Sequence, residues 1–190
     1  MTQQHPLILA LDVAGQPHRW ITYEESAYYI CKGLVAWTLG EYDYTVWGGT
    51  QRATGERSHL VMNTIIAIKG NKPGRAMNGI PTLTNRALFR RDKNVCAYCG
   101  NELSAAKLTR DHIIPSSRGG KDIWTNVVAS CGSCNRRKSN STPEEAGLQL
   151  LYVPYAPNRA EYLILMNRNV LADQMEFLKK LVPKHSRIHS

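Results

Sequence analysis

Two C-x-x-C pairs, Cys96-Ala97-Tyr98-Cys99 and Cys131-Gly132-Ser133-Cys134, constrain the fold of this chain more than any other feature. Two such knuckles separated by a few tens of residues have the spacing of a tetrahedral four-cysteine zinc site, each knuckle supplying two thiolates. Zn²⁺ on Cys96, Cys99, Cys131 and Cys134 is therefore expected, in a structural role, because a closed set of four thiolates has no open position for water. In a reducing compartment these pairs read as metal ligands rather than disulfides. A redox role is disfavoured because zinc would consume both pairs. The fifth cysteine, Cys31, is expected to be a small buried hydrophobe.

The charge lies where the knuckles lie. The formal net charge is +9, and residues 85–140 hold eleven basic against four acidic side chains, so +7 of it falls on this segment. A clustered excess of this kind points to a polyanionic partner. Arg90, Arg91, Arg110, Arg118, Lys121, Arg136, Arg137 and Lys138 are the candidate phosphate contacts; the plainer reading of such residues is a solvated surface. No apolar run reaches the roughly 18 residues of a membrane span, and Met1-Thr2-Gln3-Gln4-His5 has no leader character. A cytoplasmic protein without membrane partners is expected.

Three segments are expected: 1–84, an α/β extension; 85–150, the domain that holds the knuckles; and 151–190, a strand and a helix. In the first, Leu7–Leu11 reads as a strand ending at Gly15-Gln16-Pro17, and Thr22-Tyr23-Glu24-Glu25 as a capping box opening a helix that stops at Gly33. Val35–Leu39 and Tyr42–Trp47 read as a hairpin-like pair about Gly40-Glu41, followed by a strand over 60–68 and a loop at Gly70–Gly74. The aromatic residues Trp20, Tyr28, Tyr29, Trp37, Tyr42, Tyr44 and Trp47 are expected in the core. In the second, Thr84 caps a helix over 85–91, strands are expected over 108–114 and 126–129, and the last knuckle opens a short helix. Thr142-Pro143-Glu144-Glu145 has the composition of a further helix start. In the tail, Tyr162–Met166 reads as a strand, and Leu171, Met175, Leu178 and Val182 recur at helical spacing.

Between and just after the knuckles stand Asp111-His112, Asn126 and Asn135. With the surrounding Thr-Arg-Asp-His-Ile-Ile-Pro, Arg-Gly-Gly-Lys and Cys-Asn-Arg-Arg-Lys, residues 96 to about 148 resemble the HNH endonucleases of bacteria and their phages. Asn135 replaces the final His, which makes the motif an HNN variant. The resemblance implies an α+β protein with a ββα-metal nuclease core stapled by the cysteine site. It also implies a metal-dependent endonuclease that cuts DNA, read as duplex, and acts as monomer or homodimer. His112, whose side-chain type titrates near neutrality, is the candidate general base. Asp111 and Asn135 offer oxygen ligands suited to a hard ion, Mg²⁺ or Mn²⁺. Asn126, by resemblance, braces the loop around the base.

Neighbours on a regular strand point to opposite faces, so the strand is expected to end or bend at Asp111-His112, and a straight, fully paired strand through His112 would sink their assignment to one site. The competing reading is a zinc-knuckle module that binds nucleic acid without cutting it. Such a module has no need for the Asp111-His112 pair.

Overall fold

The computed structural model describes residues 5–70 and 79–189. The expected loop at Asn71–Gly74 and the reading of Met1–Gln4 lie outside these residues. In chain order the elements are β1 (Ile8–Leu11), β2 (Pro17–Ile21), α1 (Tyr23–Cys31), β3 (Val35–Thr50), β4 (Arg57–Ile68), α2 (Asn85–Arg91), β5 (Leu108–His112), β6 (Val127–Cys131), α3 (Gly132–Lys138), α4 (Arg159–Met166) and α5 (Ala172–Leu181). The chain divides into two compact units, Met1–Gly79 with Arg159–Val182, and Ile80–Asn158 with Pro183–Ser190.

The first unit is a four-stranded sheet of order β2-β1-β4-β3, parallel only between β1 and β4. Ile8, Ala10, Ile21, Met62, Ile66 and Ile68 form its core, onto which α1 lays Tyr23, Ala27, Tyr29 and Ile30. The capping box of α1 forms as the sequence suggests: Glu25 N–H donates to Thr22 Oγ1 (3.3 Å) and Thr22 N–H to Glu25 Oε2 (3.1 Å). Buried Gln174 of α5 ties the helix to two strand regions, its Nε2 donating to the carbonyls of Leu7 and Thr64, each at 2.9 Å.

Five expectations for this unit are corrected. Gly40-Glu41 is no turn, because β3 runs through it and the register with β4 shifts between Leu39 and Asp43. Gly40 has φ +122°, and a Cβ there would meet Thr64 Oγ1 at 2.2 Å, so only glycine fits this bulge. Tyr162–Met166 belongs to helix α4, where Ala160, Leu163 and Leu165 are buried and Trp20 Nε1 donates to the Leu163 carbonyl (2.9 Å). Strand-type side chains were overridden by packing. The tail is therefore no separate segment: residues 159–182 complete the first unit. Finally, Cys31 is exposed, and so are Tyr28, Trp37, Tyr42 and Trp47, while Trp20, Tyr29 and Tyr44 are half-buried. β3 and β4 continue to Trp47↔His59 and beyond, past the three residue pairs that β4 shares with β1, so among the described residues no third strand pairs with their far ends.

In the second unit β5 and β6 pair antiparallel without a register shift, from Leu108↔Cys131 to His112↔Val127, and α3 follows at once. The first knuckle is fastened to this pair by Ala97 N–H donating to the Ala129 carbonyl (2.8 Å), and Leu151 N–H returns to the Ala97 carbonyl (2.9 Å). Cys96, Ala97, Tyr98 and Val128 form the small core. Thr142 and Glu145 exchange capping bonds, but no helix follows. Gly147, at φ +61°, ends that turn.

Arg91 departs from its expected role as a phosphate contact. It is buried with Asp92, and its guanidinium bonds both Asp92 oxygens and the carbonyls of Trp124, Tyr155 and Val127, between 2.7 and 3.2 Å. Asp92 in turn accepts from Ala129 N–H (2.7 Å). Every donor of the fork is used, which makes it a bolt through the unit. Arg91→Met, which strands the Asp92 charge, is expected to lower stability by about 3–5 kcal/mol in urea unfolding. A loss under about 1 kcal/mol, the scale of an exposed pair, would show the bolt to be idle.

Candidate metal centre and active cleft

The four knuckle sulfurs all lie within 4.8 Å of one another. A tetrahedron with sulfurs about 2.3 Å from its centre has edges of about 3.8 Å, and Cys99 Sγ to Cys131 Sγ is 4.0 Å. The donor set thus fits a thiolate-bound metal ion. Cys131 ends β6 and caps α3, its sulfur accepting from Cys134 N–H (3.3 Å). Burial opposes ionisation of Cys96, yet the backbone amides of Cys131, Cys99 and Tyr98 outweigh it and bring the thiol down to about 6. Burial, then the Cys131 and Cys99 sulfurs, push the Cys134 thiol well above its usual range. One thiolate in so tight a group suppresses the others until a cation compensates them.

Beyond the end of β5 lies a cleft of about 240 Å³, lined among others by Asp111, His112, Pro115, Ser117, Asn135 and Lys138. It gathers the Asp, the His and the final Asn of the motif. The β5–β6 ladder is paired without a shift through His112, so the expected bend is not there; a straight, fully paired strand counts against a shared site for this pair, and only the strand's end at His112 meets the expectation. Alternation accordingly holds. Asp111 is buried and turns to Tyr98, whose hydroxyl donates to Oδ2 (2.5 Å), and to Lys138, whose ammonium donates to Oδ1 (3.1 Å). His112 is half-buried and turns the other way, with Arg110, to Asp122.

Asp122 Oδ1 lies 3.1 Å from His112 Nε2, and its Oδ2 accepts from Arg110 Nη1 (2.5 Å). Arg110, with a further contribution from His112, holds the Asp122 carboxyl below the usual carboxylate range. An ionised carboxylate only accepts, so in a neutral His112 ring this contact puts the hydrogen on Nε2 and the lone pair on Nδ1.

Asn126 is buried and spends its amide on the backbone of the loop that follows His112. Its Oδ1 accepts from Ile114 N–H (3.0 Å), and its Nδ2 donates to the carbonyls of Ile114 (3.1 Å) and Lys121 (2.9 Å). Gly120 completes that fold-back, since a Cβ there would lie 1.7 Å from the Ile114 carbonyl oxygen. Asn135, on α3, donates from Nδ2 to Thr109 Oγ1 (2.8 Å), which leaves its carbonyl oxygen as the ligand-capable atom.

The eight candidate phosphate contacts separate. Arg91 and Lys138 are buried and serve carboxylates, contrary to expectation. Arg110 is bound to Asp122 and Asn85, and Arg118 to Glu145. Lys121, Arg136 and Arg137 are exposed, and Arg90 is half-buried.

Residues 96–151 match the family model of the HNH endonucleases. This segment is an HNH endonuclease domain. The CRISPR-associated endonuclease Cas9 of Corynebacterium diphtheriae is similar to the chain, 28% identical over 122 residues. That alignment covers 61% of the chain and 11% of Cas9, so the chain spans about a tenth of this relative's length. Among the described residues no helix is long and apolar enough to cross a membrane.

Within the HNH domain, sequence reading missed Asp122 and Tyr98. Asp122 has no spacing that marks it, ten residues past His112 on the far side of a glycine loop. Tyr98 had a signal, a large aromatic between two zinc-knuckle cysteines, but nothing to say that its hydroxyl turns to Asp111.

Two outcomes follow from this geometry. Mass spectrometry of the purified protein is expected to find one tightly held metal ion per chain, lost in Cys96→Ser; an unchanged content would remove the cluster from metal binding. Burial, then the Asp111 carboxylate, raise the Tyr98 phenol far above its ordinary value of about 10. With the folded value raised, the stability contributed by the neutral phenol is full below about pH 10 and lost only as pH climbs towards the folded value. Tyr98→Phe should therefore leave the 295 nm absorbance change between about pH 8 and pH 11 unaltered. A fall of one tyrosine's worth would contradict this.

Proposed function

We propose that the chain is a metal-dependent endonuclease that hydrolyses phosphodiester bonds of duplex DNA at a ββα-metal site. The observation that carries this is the cleft at the end of β5, which gathers Asp111, His112 and Asn135 inside an HNH domain. His112 is the general base. Its Nδ1 lone pair takes a proton from the attacking water, and Asp122 steadies the imidazolium that results. Asp111 and Asn135 supply one anionic and one neutral oxygen for Mg²⁺ or Mn²⁺. Such an ion, when bound, stabilises the charge that develops on the phosphoryl and leaving oxygens. Asn126 keeps the Ile114–Lys121 loop, and with it the cleft wall, in place. Zn²⁺ on the four thiolates is structural and takes no part in the chemistry.

Lys121, Arg136 and Arg137 are the exposed cations that would meet the DNA backbone. Each phosphate contact contributes about −0.9 to the slope of log affinity against log salt on duplex DNA. The double variant Arg136→Ala, Arg137→Ala is thus expected to flatten that slope by about 2.

Plasmid nicking decides between this reading and a module that only binds. Cleavage is expected with Mg²⁺ or Mn²⁺ and not with EDTA. His112→Ala should slow it by about 10²–10⁴-fold while DNA affinity is retained. Zinc-replete protein that binds DNA but cuts none of its forms with either ion would leave the binding module as the correct account.

A further inference from the structure

Lys138 was expected on the DNA-facing surface, yet it is 1% exposed and its ammonium lies 3.1 Å from Asp111 Oδ1. The same Nζ donates to the Ser141 carbonyl at 3.1 Å. The turn that allows this is unusual: Ser139, the residue after α3, has φ +48°, and Ser141 N–H bonds back to the Lys138 carbonyl (3.1 Å). A non-glycine residue with positive φ is held there by its surroundings rather than by preference. With Tyr98 on Oδ2, both oxygens of a desolvated carboxylate are engaged by protein donors.

We propose that Lys138 is a positioning residue, the built-in counter-ion of Asp111, which holds the carboxylate in the metal-free cleft and withdraws its ammonium when a divalent cation binds there. The proposal rests on the reading of Asp111 as a ligand of that cation. Two physical facts drive it. A buried carboxylate with no cation is strongly unfavourable, so an ammonium within reach will occupy it. A divalent ion on the same carboxylate repels that ammonium in a cleft where water screens little. Lysine suits this exchange, being a single point of charge on a flexible four-carbon stem. Its Ser141 partner gives the ammonium a second anchor. Metal entry and Lys138 displacement are then one event, and the lysine weakens metal binding in return for keeping Asp111 in place beforehand.

The test uses the full chain with its cysteine-bound metal intact and Mn²⁺ as the probe, free ion being measured by electron paramagnetic resonance and stability by thermal melts. Lys138→Met is expected to bind Mn²⁺ about tenfold or more tightly than wild type. Its Tm without Mn²⁺ should fall by roughly 10 °C and recover most of that as Mn²⁺ is added, because the metal replaces the lost cation. Lys138→Arg should stay close to wild type in both respects. Should Lys138→Met not fold, wild type with ¹⁵N-labelled lysine serves: the slowly exchanging Lys138 ammonium resonance is expected to shift and lose protection as Mg²⁺ saturates. Affinity in Lys138→Met equal to wild type, or an ammonium signal indifferent to Mg²⁺, overturns the proposal while Asp111→Asn still abolishes binding. If Asp111→Asn binds Mn²⁺ as wild type does, the reading of the cleft falls and the proposal with it.

Discussion

Four sulfurs within 4.8 Å of one another are a problem of charge that a bound cation would resolve, and the first knuckle, β6 and α3 of the second unit meet there. Two come from the loop that docks on β6 through Ala97, and two from the end of β6 and the first turn of α3. An ion between them fixes the first knuckle to the strand and the strand to the helix at one point. Cys131 is the economical residue in this, being at once the last of β6 and the cap of α3. Asn135 and Lys138 of α3 then reach Thr109 and Asp111 on β5.

Three carboxylates of the unit are met by basic side chains. Arg91 answers Asp92, Lys138 answers Asp111, and Arg110 with His112 answers Asp122. Half of the candidate phosphate contacts are committed to carboxylates in this way or, for Arg118, to Glu145. Such pairs do little for stability when exposed, but the two buried ones fix where a helix and a strand meet. What remains on the surface is a smaller basic set around α3 and the glycine loop. The size of a charge cluster therefore overstated the DNA-facing surface, although it marked the correct region.

Local chemistry was legible and long-range packing was not. Thr22 and Thr84 announced their helices because a cap is written in four consecutive residues. β5 and β6 were found to within two residues of their ends, and the cysteines pointed to their own cluster. Gly40 misled because a bulge and a turn ask for the same residue, and only the partner strand distinguishes them. The helix α4 was hidden by Tyr, Leu and Ile that pack as well on a sheet as in one. Asp122, and the burial of Lys138 and Arg91, depend on which face a loop or helix presents, information absent from a single basic or acidic letter. The ladder is fully paired through His112, the geometry that counts against one shared site: Asp111 and His112 turn to opposite faces, although both line the cleft.

An ion on the four cysteines would order the unit that shapes the cleft. Hydrogen–deuterium exchange before and after a chelator strips that ion tests this most directly. The account predicts that amides of β5, β6 and α3 lose their protection on stripping, while those of β1 and β4, in the other unit, keep theirs. Unchanged protection across β5 and β6 in metal-free protein would contradict it, since the strands would then stand without the clip.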